Sequence, residues 1–122
     1  MIDFLEFINK KLSAIGTAYL QEKDQENTDY PYMTFSLPQS QENFQREVFI
    51  LEVNVWDIDT DTTALDTMAD QVCRTLHRLK YYKKNVLQTS IYRLNRSMVP
   101  DPDPRIRRRY LTFECKTYLK GS

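Results

Sequence analysis

The residue types able to do chemistry are few and scattered. The only imidazole is His77, and the only thiols are Cys73 and Cys115. Cys73 and His77 stand four apart, which puts them on one flank of a helix, where a thiol–imidazole dyad is geometrically conceivable. That helix segment is C-terminal, and its negative dipole end raises a thiol's pKa and so works against activation. Together with Cys115 the pair would supply three ligands of the types zinc takes. The competing reading is that both cysteines are small core hydrophobes. A Cys73–Cys115 disulfide is conceivable by facing, but the expected compartment is a reducing one. Asp57, Asp59 and Asp61 alternate at a strand end, as some cation-binding loops do. A calcium loop also requires a glycine at its sharp turn and a distal bidentate Glu. Neither is present, so helix capping in a solvated turn accounts for these acids. Arg105, Arg107, Arg108 and Arg109 form the densest basic run. It could meet phosphate, a neighbouring subunit or solvent. None of this makes a catalytic constellation, so the expectation is a protein that is not an enzyme, with no metal and no cofactor.

Composition narrows the field further. The chain has 122 residues, the size of a single domain spanning 1–122. Gly16 and Gly121 are the only glycines, which excludes glycine-rich phosphate loops. Seventeen basic and seventeen acidic residues cancel, which disfavours a globally basic nucleic-acid binder. No apolar run approaches a membrane span. Met1–Lys11 mixes Asp3, Glu6 and Lys10 with apolar residues, unlike a signal peptide, so cytoplasm is the expected compartment. The zero net charge hides a split. Residues 1–61 carry 12 acids and 4 bases; residues 62–122 carry 5 acids and 13 bases. Either the charges mix on one surface, or each copy presents an acidic patch to the basic patch of the next.

The elements that would position these residues follow from periodicity. Met1, Leu5, Ile8, Leu12 and Ile15 predict an N-terminal helix ending near Gly16, with Phe7 off the stripe. Residues 21–29 and 39–45 are polar connections. Tyr32–Leu37 alternates between Pro31 and Pro38 and predicts a strand. Arg46–Asp57 predicts another, with Phe49, Leu51, Val53 and Val55 on its apolar face. Leu65, Met68, Ala69, Val72, Leu76 and Leu79 share one stripe and predict a helix over 62–80. Tyr81–Asn85 breaks it. Val86–Val99 predicts a weakly alternating strand. The three prolines of Pro100, Asp101, Pro102, Asp103 and Pro104 cannot continue it. Arg107–Lys120 alternates again, with Leu111, Phe113, Cys115 and Leu119 on one side. The expected fold is α+β in α-β-β-α-β-β order, a mostly antiparallel four-stranded sheet with helices packed on one face.

Tyr30-Pro-Tyr-Met-Thr-Phe-Ser36, the strand Phe49–Asp57 ending Val-Asn-Val-Trp-Asp, the helix start Thr62–Asp70, the Pro/Asp loop and Arg109-Tyr-Leu-Thr-Phe-Glu-Cys115 occur in that order. Taken together, the chain resembles the tail terminator (tail completion) proteins of long-tailed bacteriophages and related prophages. These motifs are packing patterns and not catalytic signatures. The resemblance implies a structural virion protein of the tail or neck, assembled in the bacterial cytoplasm. It implies a ring, a hexamer, that caps the head-proximal end of the tail tube, ends tail growth and offers the head-joining surface. Its partners would be other copies of itself, the tail tube protein and the head–tail connector. Genomic DNA would pass through without sequence-specific binding, and no membrane is involved. Glu47, Glu52, Asp57, Asp59 and Asp61 are then the acidic interface candidates. Arg93, Arg96, Arg105, Arg107, Arg108 and Arg109 are the basic ones, facing a neighbour or DNA. Pro100–Pro104 is the candidate partner loop. Another head–tail joining protein, a small nucleic-acid-binding domain and a metal-dependent hydrolase are the alternatives.

Overall fold

The computed structural model describes residues 2–20, 30–37, 48–59, 61–83, 87–100 and 102–119. Two helices, α1 (Ile2–Ser13) and α2 (Thr63–Leu76), accompany six strands. The strands are β1 (Ala18–Leu20), β2 (Tyr32–Ser36), β3 (Val48–Asp57), β4 (Lys80–Lys83), β5 (Leu87–Met98) and β6 (Arg107–Leu119). They form one sheet in the order β1-β2-β3-β6-β5-β4. It curls into half a barrel, and half of the described residues are strand.

This corrects the expected four-stranded, mostly antiparallel sheet. The sheet has six strands and is mixed, because β1 runs parallel to β2 while the other pairs are antiparallel. Both extra strands are short edges that lack a readable period. Ala18–Leu20 is recruited by its neighbour, with Met33 N–H donating to the Thr17 carbonyl at 2.8 Å. Lys80–Lys83 was hidden because Leu79 extends the helical stripe. In fact α2 stops at Leu76, His77 is extended (φ −64°, ψ 123°), and Arg78 reverses the chain at φ 66°. The Arg78 amide then donates to Ile91 O at 2.6 Å, and Ile91 N–H donates to Leu79 O at 2.9 Å, so pairing to β5 begins before β4 proper.

The central strands follow the expected alternation. On β3 every second residue from Phe49 to Asp57 is buried; opposite it, Leu111, Phe113, Cys115 and Thr117 of β6 are buried. Both helices add to the same core: Phe4, Ile8 and Leu12 from α1, and Leu65, Met68, Ala69, Val72 and Leu76 from α2. The α1 stripe is rotated from the expected one. Phe4 is its centre, edge-on to Phe49 and Tyr81 at 5.5 Å each. Phe7 is half-buried against Tyr81 at 5.0 Å. Gly16 lies beside Met68 of α2: a Cβ there would come within 2.7 Å of the Met68 Cε, the movable end of that side chain. The weak alternation of β5 has a local cause, a bulge between Arg93 and Asn95 that shifts the register against β6. The opposite face of the sheet, with Ile50, Glu52, Asn54 and Trp56 on β3, carries no described element.

Candidate interaction surface

Consecutive residues on a strand point to opposite faces, so the arginine run of β6 divides. Arg109 turns to the helix side, where its Nε donates to Asp66 Oδ1 at 2.8 Å. Arg96 on β5 joins from the neighbouring strand, 3.3 Å from Asp66 and 2.5 Å from Asp70. The hydrogen bond from Arg109 holds the Asp66 carboxyl below the usual carboxylate range, against the opposing effect of burial. Arg108 lies on the open face. Its Nε donates to Asn54 Oδ1 at 2.8 Å, and its guanidinium sits 4.6 Å from the Trp56 ring centre. Trp56 stacks on Tyr32 in turn, the rings 6.0 Å apart and 14° from parallel. Arg107 donates to the Pro104 carbonyl at 2.8 Å. Arg105 binds Asp103 through Nε (3.1 Å) and Nη2 (2.8 Å), which holds Asp103 down to about 2. Arg93 is exposed on the helix side. The basic candidates are therefore not one patch: Arg96, Arg105 and Arg109 are paired with acids of their own chain.

The acidic candidates divide as well. Glu47 and Asp101 lie outside the described residues. Glu52 accepts the hydroxyl hydrogen of Tyr110 on the open face. Burial and this bond push the Tyr110 hydroxyl up to about 12. Asp57 is buried at the end of β3, where its carboxylate accepts from the Ile58 amide at 2.8 Å. Asp59 and Asp61 stay exposed in the turn before α2. Asp59 Oδ1 accepts from the Asp61 amide at 3.1 Å; Asp61 Oδ1 accepts from the Thr63 amide at 2.9 Å and its hydroxyl at 2.6 Å. These bonds match the capping role expected of the turn, supplied by Asp61 because Thr62 makes no side-chain cap.

The β5–β6 hairpin ends in the proline loop. Pro100, Pro102 and Pro104 are exposed there. A groove of about 530 Å³ opens between Met98, Val99, Ile106 and the Arg107–Arg109 run. Met98 is 75% exposed and Leu94, at the bulge, 57%. Exposed large apolar side chains at one end of a hairpin suit a partner surface. Sequence reasoning missed both; their signal was apolar residues inside an otherwise polar strand.

Cys73 and Cys115 are buried free thiols, and burial pushes the Cys115 thiol up to about 12. His77 Nδ1 accepts from the Arg93 amide at 3.0 Å, which leaves the ring proton on Nε2. Cys73, Arg74, His77 and Arg93 line a cleft of about 430 Å³. Among the described residues no group of three or more His, Cys, Asp or Glu side chains could hold a metal ion. No helix among them is long and apolar enough to cross a membrane.

No protein-family model matches the sequence, and a search of curated proteins finds no relative. Among solved structures, a chain in the virion of a native gene transfer agent particle has the same fold. The TM-score is 0.70 at 14% identity, over 93% of this chain and 92% of that one. The likeness covers nearly the whole of both chains and is one of fold.

Proposed function

We propose that the chain is a structural virion protein, a tail terminator that assembles as a ring, caps the head-proximal end of a tail tube and offers the surface that joins the head. It works by shape and contact and catalyses nothing. The observation that carries the reading is the end-to-end fold likeness to a chain of a gene transfer agent virion. Three features agree with it. The sequence motifs from Tyr30 to Cys115 resemble those of tail terminators. The hairpin tip exposes Met98 beside a groove. One face of the sheet is covered by no helix or strand among the described residues, and its aromatic and charged side chains are already arranged. Copies of the chain, the tail tube protein and the head–tail connector would be its partners, in the tail or neck of the particle, with DNA passing through the ring.

The test is light scattering across protein concentration and salt, with electron microscopy of the heaviest fraction and of purified tail tubes mixed with the protein. Rings, and density on one end of each tube, are expected. Tubes left bare at both ends, with binding to connector particles instead, would move the protein to the head side of the joint. Steeply salt-dependent DNA binding without assembly would replace the reading by a nucleic-acid-binding one.

A further inference from the structure

Arg74, His77 and Arg93 line one cleft at the C-terminal end of α2. Further toward the N-terminal end of α2, Arg96 and Arg109 are paired with Asp66 and Asp70. Arg74 and Arg93 are both exposed, and neither guanidinium has a carboxylate partner among the described residues. The His77 Nε2–H adds a third donor, because Nδ1 is already engaged by the Arg93 amide. The cleft is thus a set of donors that no carboxylate answers among the described residues. At the other end of the same helix, Asp59 and Asp61 are exposed; their bonds go to backbone amides and one hydroxyl, and neither forms an ion pair among the described residues.

One chain cannot join its own two ends. The 14 residues of α2 separate them, which at the helical rise is about 20 Å. A second copy can. We infer that the Arg74–His77–Arg93 cleft of one copy receives the Asp59–Asp61 turn of the next. The contact uses two different surfaces, so it is head-to-tail, and repetition closes into a ring where the rotation allows. Such a pairing fixes register and suppresses wrong partners through charge complementarity. It rests on the ring reading above and names the contact that would build the ring. It draws its acids from the acidic half of the sequence and its bases from the basic half.

Charge exchange tests this. One variant carries R74E and R93E. The other carries D59K with D61N, where asparagine keeps an oxygen for the Thr63 amide. Each alone faces like charge with like, and at least a ~10-fold loss of self-association is expected by light scattering. Circular dichroism checks that both stay folded. Mixed in equal amounts, each variant's turn fits the other's cleft, so the assembly should return. Misfolding could not produce that rescue. Wild-type assemblies whose mass neither variant changes would overturn this contact and leave the ring reading standing. Variants that lose assembly and do not recover it on mixing would also overturn it. A wild type that stays monomeric at every concentration would count against both together.

Discussion

The sharpest stability test is Asp66→Ala. Asp66 is the acceptor that joins α2 to the sheet: Arg109 of β6 and Arg96 of β5 both converge on it. An exposed ion pair is worth at most about 1 kcal/mol, and stranding one partner of a fully buried pair costs about 3–5 kcal/mol. This site lies between. The Arg109 side chain is only 11% exposed, but that of Asp66 is 40% exposed, so solvent screens part of the attraction. Removing Asp66 leaves the Arg109 guanidinium nearly enclosed without its acceptor, at a cost of about 2 kcal/mol. For a chain of this length that lowers Tm by about 8 °C. Urea unfolding, with Asp70→Ala as the comparison, measures it. Asp70 has only the exposed part of Arg96, so its loss should cost about 0.5 kcal/mol. Adding Arg109→Met to Asp66→Ala should return part of the loss, because no orphaned charge remains. The pH dependence has a fixed sign. The folded carboxyl is held below its ordinary value, so its contribution is present above about pH 4 and fades as pH falls through the lowered value. An Asp66→Ala loss under about 0.5 kcal/mol, or additive losses in the double variant, would refute the reasoning.

Three further outcomes are expected. Neither cysteine should react with a thiol reagent in the folded protein, and both should react in denaturant; rapid native labelling would contradict the buried thiols. In a spectrophotometric titration Tyr110 should ionise near 12, and Tyr110→Phe should remove that component. Because that value is raised in the folded state, the associated stability is full below about pH 10 and is lost as pH rises through about 12; an unchanged titration in Tyr110→Phe would exclude this assignment. Shortening the Pro100–Pro104 loop should leave assembly intact but lower joining of tails to heads in a reconstitution assay; normal joining would remove the loop from the partner surface.

The central strands were legible in the sequence because burial on one face imposes a period of two. Phe49 to Val55 shows it without interruption, and Leu111, Phe113 and Cys115 show it on β6, where Thr112 is buried as well. The α2 stripe was legible for the same reason at period 3.6, but its end was not. Leu79 continues the stripe arithmetically, yet the chain has already turned at Arg78, and Leu79 meets the core from a different direction. Propensity did not announce that turn, since arginine is not a residue of choice for positive φ. The edge strands β1 and β4 exist because β2 and β5 offer unpaired backbone groups, a property of the partner and not of Ala18–Leu20 or Lys80–Lys83. In β5 the bulge at Leu94 moves the inward face from Arg93 to Arg96, so no single period fits the strand.

Charge was legible in amount but not in arrangement. The sequence shows an acidic half and a basic half, and the simplest expectation sets one against the other between subunits. Folding spends part of that opposition inside the chain. Arg109 and Arg96 reach Asp66 and Asp70 only because β6 and β5 pass under α2, and Arg108, one residue from Arg109, is sent to the opposite face by the pleat. A run of three arginines is therefore a poor target for wholesale reversal. Changing Arg109 to Glu would set a carboxylate against Asp66 and unseat the helix, so lost assembly in that variant would report on folding. What remains for partners is the charge that folding does not neutralise. Arg74 and Arg93 at one end of α2, and Asp59 and Asp61 at the other, meet that condition. They lie on surfaces a single copy cannot bring together, and that separation makes them the place to look for the next subunit.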